Sequence, residues 1–237
     1  MKKSTLFVFI LTAIFFIYFS LPFFHHGFFP TMDDVQVVRI DQTLIELKSG
    51  QFPVRYIDSF GNRGGYMLFN YYSPLPYYIG SGYELLVKRP VKATKMVFLT
   101  ALLIGSLGIF FLLRRYTNAM TSFLSVCLFL SSAYLGYDIY LRGALAEIWG
   151  MVFFPWILWS FLRVKDKPTI ANCIIAGIFY ALVILSHIAI AFFFSFFLFP
   201  FFYDMYSALQ KKEYCESGHF GRNRIAFKCV LLATPPH

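Results

Sequence analysis

The sequence predicts an all-α protein: a polytopic transmembrane helical bundle of about six complete membrane helices plus a truncated seventh, with a large first extracytoplasmic loop containing an amphipathic helix. Three observations carry this reading. Hydrophobic residues make up 58% of the chain and charged residues only 14%, a balance suited to lipid. Long apolar runs alternate with short basic clusters. The polar stretch from Pro30 to Arg63 directly follows the first such run.

The first helix is expected over the uncharged run from Thr5 to Phe24. Lys2 and Lys3 precede it as they would in a secretory signal, but the run ends in Leu-Pro-Phe-Phe-His-His, without a small-residue cleavage site, so the helix is read as retained. With these lysines in the cytoplasm, residues 27–91 form an extracytoplasmic loop. In it, Met32 to Ser49 reads as a helix with Thr31 as N-cap, Asp33 and Asp34 at the positive end of the dipole and Gly50 at the stop. Val37, Ile40, Leu44 and Leu47 share one face, which places the helix along the outer leaflet or against the bundle. Gln51 to Gly65 is irregular, and Tyr66 to Ile79 is so rich in tyrosine that it belongs at the membrane interface.

Helix two is expected from Lys95 to Leu113, helix three from Thr117 to Leu135, helix four from Ile148 to Leu162, helix five from Thr169 to Leu185 and helix six from Ile188 to Tyr203. Gly136 to Glu147 forms a second outer connection and Ser186-His187 a third. Arg114-Arg115, then Arg163, Lys165 and Lys167, mark the cytoplasmic turns. Residues 1–203 are thus a transmembrane module, and 204–237 a cytoplasmic segment with the start of a truncated membrane helix. Ile225 to Ala233 is too short to cross, so the sequence is expected to be either an N-terminal fragment of a longer protein or a chain whose reading frame ends early.

The net charge of +9 raises nucleic acid as a partner, but the basic residues lie in short clusters between apolar runs and form no continuous surface, so no nucleic acid is expected. Membrane lipid is the expected partner. Cys127 and Cys173 fall in apolar segments, and Cys215 and Cys229 lack metal-ligand spacing, so neither a disulfide framework nor a zinc site is signalled.

Candidate chemistry collects on the outer side. The first loop supplies Asp33, Asp34, Arg39, Arg55, Asp58 and Arg63, the second Asp138, Arg142 and Glu147, and the third His187. Charges beside apolar helices are costly unless paired or solvated, and Arg142 pairing with Asp138 four residues earlier is the plain structural explanation. A carboxylate can deprotonate an acceptor hydroxyl or hold a divalent cation, and arginine binds phosphate bidentately. Together they suit chemistry on a lipid-linked phosphate, which leaves as a stable anion and needs no general acid. Asp33 and Asp34 are the catalytic candidates and the ligands of any divalent cation. Arg39, Arg55, Arg63, Asp138, Arg142, Glu147 and His187 are the substrate-binding candidates.

Four stretches carry a resemblance: Met32-Asp-Asp-Val-Gln-Val-Val-Arg39, Gly50-Gln-Phe-Pro-Val-Arg55, Leu68-Phe-Asn-Tyr-Tyr-Ser-Pro-Leu-Pro-Tyr-Tyr78 and Tyr140-Leu-Arg-Gly-Ala-Leu-Ala-Glu147. On them the chain resembles the C-type superfamily of integral-membrane glycosyltransferases, and within it the bacterial membrane proteins labelled pyruvoyl-tetrahydropterin-synthase-related. The resemblance implies a bacterial plasma-membrane enzyme that inverts configuration while moving a hexosyl or pentosyl group from a polyprenyl-phosphate sugar donor to an extracytoplasmic acceptor. It makes Asp33 or Asp34 the catalytic acidic residue and gives Arg142 and Glu147 to the second-loop part of the site. The chain departs from it at Gly61-Asn-Arg-Gly-Gly-Tyr-Met67, where relatives alternate glycines with aromatics. A rival reading is a non-catalytic scaffold or lipid-handling subunit of an envelope-assembly complex. A transporter would need polar residues at mid-membrane or repeated helices, and neither is evident.

Overall fold

A computed structural model describes residues 3–28, 30–62 and 64–216. The described residues are helical apart from turns and one isolated bridge between Ile57 and Tyr66, and contain no strand. They fall into two compact units divided between Phe192 and Phe193.

Helix α1 (Lys3–Ser20) runs into a 3-10 turn, Leu21–Phe24. Its flanks stay bare, with Phe7, Ile10, Ile14, Ile17 and Tyr18 all exposed. Apolar side chains around the whole circumference of a helix suit contact with lipid. Helix α2 (Gln36–Lys48) is amphipathic as expected: Ile40 and Leu44 are buried, and Val37 and Leu47 partly so. It starts four residues later than the sequence suggests; the residues ahead of it are held instead by the Met32 and Asp33 amides bonding elsewhere. Thr31 does not cap it; Val35 holds the N-cap position without a side-chain bond.

Residues 27–91 contain two further helices, α3 (Leu68–Tyr71) and α4 (Leu75–Val87). No helix is expected between Gln51 and Val91 from the sequence. Here Pro74 is the N-cap of α4 and Pro76 lies in its first turn, where no intrahelical N–H is required. Gly80 lets α2 approach closely, since a Cβ there would stand 2.6 Å from Ile40 Cδ1. The described residues between Gln51 and Gly65 are irregular, anchored by a small core of Val54, Ile57 and Leu68.

The bundle proper is built on α5 (Pro90–Arg114) and α8 (Leu145–Asp166). They run parallel, with Gly105 against Val152 and Gly108 against Pro155 and Trp156, and Trp156 Nε1 donates to the Ile104 carbonyl at 2.9 Å. Small residues on α5 permit this approach, as is usual between membrane helices. Helix α6 (Ala119–Leu130), capped by Asn118, breaks at Ser131-Ser132 and continues at a 41° bend as α7 (Ala133–Tyr137) and a π turn, Asp138–Arg142. The expected outer connection from Gly136 to Glu147 is mostly helical, and α8 begins three residues before the expected Ile148, which puts Glu147 in its first turn. Helix α9 (Ile170–Ser186) folds back along α8, with Phe179 stacked on Trp156 at 5.3 Å. Helix α10 (Ile188–Glu216) extends beyond the expected Tyr203; its part from Phe193 onward, in the second unit, contains Pro200.

Three described segments are long and apolar enough to cross a membrane: Leu6–Phe24, Pro90–Arg114 and Leu145–Asp166, or four if the bent pair Ala119–Leu130 and Ala133–Arg142 is one span. Ile170–Ser186 and Ile188–Pro200 are apolar but shorter. The expected seventh segment, Ile225 to Ala233, lies outside the described residues.

Candidate functional site

The segment before α2 is held against the π turn by two backbone hydrogen bonds, Met32 N–H to the Leu141 carbonyl and Asp33 N–H to the Arg142 carbonyl, each 2.8 Å. Gly143 makes the contact possible. Its φ of +70° is a left-handed conformation that favours glycine, and a Cβ there would lie 2.7 Å from Thr31 Oγ1. Gln36 locks the same junction from α2. Its Nε2 donates to Asp33 Oδ2 at 2.6 Å and to the Gly143 carbonyl at 2.9 Å, while its Oε1 accepts from Tyr77 at 2.7 Å.

A cleft of about 220 Å³ opens there, lined by Met32, Asp33, Tyr72, Arg142, Ala144, Glu147 and His187. It is smaller than the roughly 300 Å³ at which pockets for drug-sized ligands begin, which suits a single small ring or headgroup. Arg142 is its electrostatic centre. Nη1 donates to Asp138 Oδ1 at 2.7 Å and to Glu147 Oε2 at 2.9 Å, and the Tyr134 hydroxyl donates to the other Glu147 oxygen. The Asp138 side chain is wholly buried, and its Oδ2 has no hydrogen-bond partner. Such a carboxylate is tolerable only because Arg142 stands beside it.

On the opposite wall, Asp33 Oδ2 also faces Arg39 at 3.6 Å. Arg39 lies over the Tyr72 ring, 4.8 Å from its centroid, and reaches the Tyr77 hydroxyl at 3.4 Å. Burial pushes the Tyr77 hydroxyl well above its ordinary range, so it remains a donor. His187 joins α9 to α10. Its Nδ1 accepts from the Ile190 N–H at 3.2 Å, which leaves the proton of the neutral ring on Nε2. Burial holds the imidazole below its usual range, with Glu147 opposing and Arg142 assisting that shift.

The fold thus brings Asp33, Arg142, Glu147 and His187 to one cleft, with Asp138 and Arg39 directly behind. Asp34 and Arg55 are exposed and do not line it. Arg63 lies outside the described residues. Among the described residues no group of three or more His, Cys, Asp or Glu side chains converges as a metal site, and Asp33 and Asp34 do not both face the cleft.

The model of the 6-pyruvoyl-tetrahydropterin synthase related domain, a membrane protein family, matches residues 69–226. The chain belongs to this family. No curated protein and no solved structure matches it. The part matched to the 6-pyruvoyl-tetrahydropterin synthase related domain includes Tyr72, Arg142, Glu147 and His187, whereas Asp33 precedes it. Sequence reasoning passed over Gln36, Tyr72, Tyr77 and Tyr134. Tyr134 lies one helical turn before Asp138, a spacing that could have signalled a shared face.

Proposed function

We propose that this membrane protein is a glycosyltransferase of the C-type superfamily, moving a sugar from a polyprenyl-phosphate donor to an acceptor on the extracytoplasmic face. The observation that carries the reading is the shared cleft, in which a carboxylate, a guanidinium and a neutral histidine meet from three separate connections. Asp33 is the base. Its Oδ2 is held by Gln36 and Arg39, and its Oδ1, which has no partner among the described residues, takes the proton of the acceptor hydroxyl. The acceptor oxygen bonds to the anomeric carbon with inversion, and the bond from that carbon to the phosphate oxygen breaks. The phosphate leaves as an anion stabilised by the guanidinium nitrogens of Arg142 that no described residue engages and by His187 Nε2–H. Glu147 and Asp138 orient Arg142. A divalent cation, where one takes part, would reach the site through Asp33 and the neighbouring Asp34.

In this reading the bent pair α6–α7 and the shorter helices α9 and α10 also cross the membrane, which gives six spans with the N-terminus in the bacterial cytoplasm and the cleft outside. Residues 1–203 are the transmembrane module and 204–237 a cytoplasmic segment.

The ion pairs favour a second reading, a non-catalytic scaffold or lipid-handling subunit, because Arg142 and Arg39 already face protein carboxylates. One experiment separates the two. The full-length protein, reconstituted with a panel of labelled polyprenyl-phosphate sugars, transfers sugar with inversion, and Asp33→Asn reduces the rate by about 100-fold or more. Undiminished transfer by Asp33→Asn removes that residue from the mechanism, and no transfer from any donor favours the scaffold.

A further inference from the structure

Helix α4 ends and α5 begins within a two-residue reversal. Lys88 takes a left-handed conformation, φ +52°, with its N–H on the Glu84 carbonyl at 2.7 Å, and Arg89 is extended. The turn leaves Lys88, Arg89 and Lys92 exposed together, and among the described residues none of them makes an ion pair. The neighbouring acids offer no relief. Glu84 and Glu46 are buried, and Asp41 faces Glu84. Lys95, one turn further along, is withdrawn from the group because its Nζ is buried on the His25 carbonyl at 2.6 Å. Just before the turn, Leu85 and Leu86 are 57% and 77% exposed.

The depth of this turn follows from α5. At 25 residues the helix is about 37 Å long, more than the roughly 30 Å of a hydrocarbon core, and its long uncharged run begins after Lys95. Its first residues therefore stand at headgroup level. Because α5 runs parallel to α8, whose first turn carries Glu147, the turn belongs to the same face of the membrane as the cleft.

We propose that the α4–α5 turn is a binding site for anionic phospholipid headgroups, with Lys88, Arg89 and Lys92 pairing with the phosphates and Leu85 and Leu86 resting in the interfacial layer. Three unpaired cations within five residues at that depth match an anionic surface, and the adjacent leucines suit a lipid more than a free anion. The inference does not depend on the proposed transferase activity.

The test uses the full-length protein in bilayers that mix phosphatidylcholine with phosphatidylglycerol, each spin-labelled in turn. The motionally restricted fraction gives the selectivity for the anionic lipid. Basic clusters elsewhere also attract it, so the difference between proteins is the readout. Replacing Lys88, Arg89 and Lys92 together by Gln lowers the selectivity at least about fivefold, the effect of one basic side chain at an anionic surface. The charge-keeping set Lys88→Arg, Arg89→Lys, Lys92→Arg retains it. Unchanged selectivity in the Gln variant overturns the proposal. So does a greater loss of selectivity in sodium phosphate than in sodium chloride of equal ionic strength, which would mark a site for free phosphate.

Discussion

Asp33 and Arg142, 109 positions apart in the chain, are joined by a backbone hydrogen bond of 2.8 Å from the Asp33 amide to the Arg142 carbonyl. The bond is independent of either side chain. The carboxylate and the guanidinium are therefore positioned by the main chain and remain available to the cleft.

Gly143 is the residue on which this junction turns. Gly143→Ala forces a side chain into a left-handed conformation and drives its Cβ toward Thr31. A loss of about 1–3 kcal/mol is expected, read as a lowered unfolding midpoint in detergent. Substitution of Gly136 by Ala, where a Cβ meets nothing within 4 Å, serves as the control and leaves the midpoint nearly unchanged.

Arg142→Ala strands the buried Asp138 carboxylate. Breaking such a pair costs about 3–5 kcal/mol, so the variant unfolds far more readily than wild type. Adding Asp138→Asn removes the stranded charge and recovers part of the loss. A double-mutant cycle on thermal midpoints checks this, and strictly additive effects would show that the pair is not coupled.

Glu84, on α4, gives the protein a pH-dependent stability. Burial first, and then the facing Asp41, raise its carboxyl from an ordinary 4.5 to about 7, with Lys48 opposing. The folded state therefore holds a proton that the unfolded state releases. Its stabilising contribution is full below pH 4.5 and is lost as pH rises through about 7. Glu84→Gln flattens this part of the stability profile and is the more stable protein at pH 8.

His187 acts in the opposite direction. Burial lowers its folded value, so below about pH 6.5 the unfolded chain takes up a proton that the folded site resists, and stability falls. In a Glu84→Gln background, which removes the opposing titration, the unfolding midpoint falls between pH 7.5 and 5.5, and adding His187→Gln abolishes that fall. In the native protein at pH 7.5, ¹⁵N chemical shifts of the ring report the neutral tautomer protonated on Nε2.

Much of this arrangement is legible in the sequence, because hydrophobic periodicity and charge placement are local signals. Ile40 and Leu44 announce the buried face of α2, and the spacing of Asp138 and Arg142 announces their ion pair. What escaped the sequence depends on contacts remote in the chain. Ahead of Gln36, Met32 and Asp33 give their amides to Leu141 and Arg142, a pairing that no local pattern encodes. Helix α4 was hidden by prolines and glycines that have positional uses, Pro76 in a first turn and Gly80 beneath Ile40. Tyr72 looks like any interfacial tyrosine until the fold sets Arg39 over its ring.

The π turn from Asp138 to Arg142 amounts to one residue more than an α-helix would spend on the same rise. Removing that residue would restore regular winding and carry Arg142 about 100° around the axis, away from Glu147. The helix would be locally more regular and the cleft would lose its cation, so the extra residue exchanges helical regularity for the direction in which one side chain points.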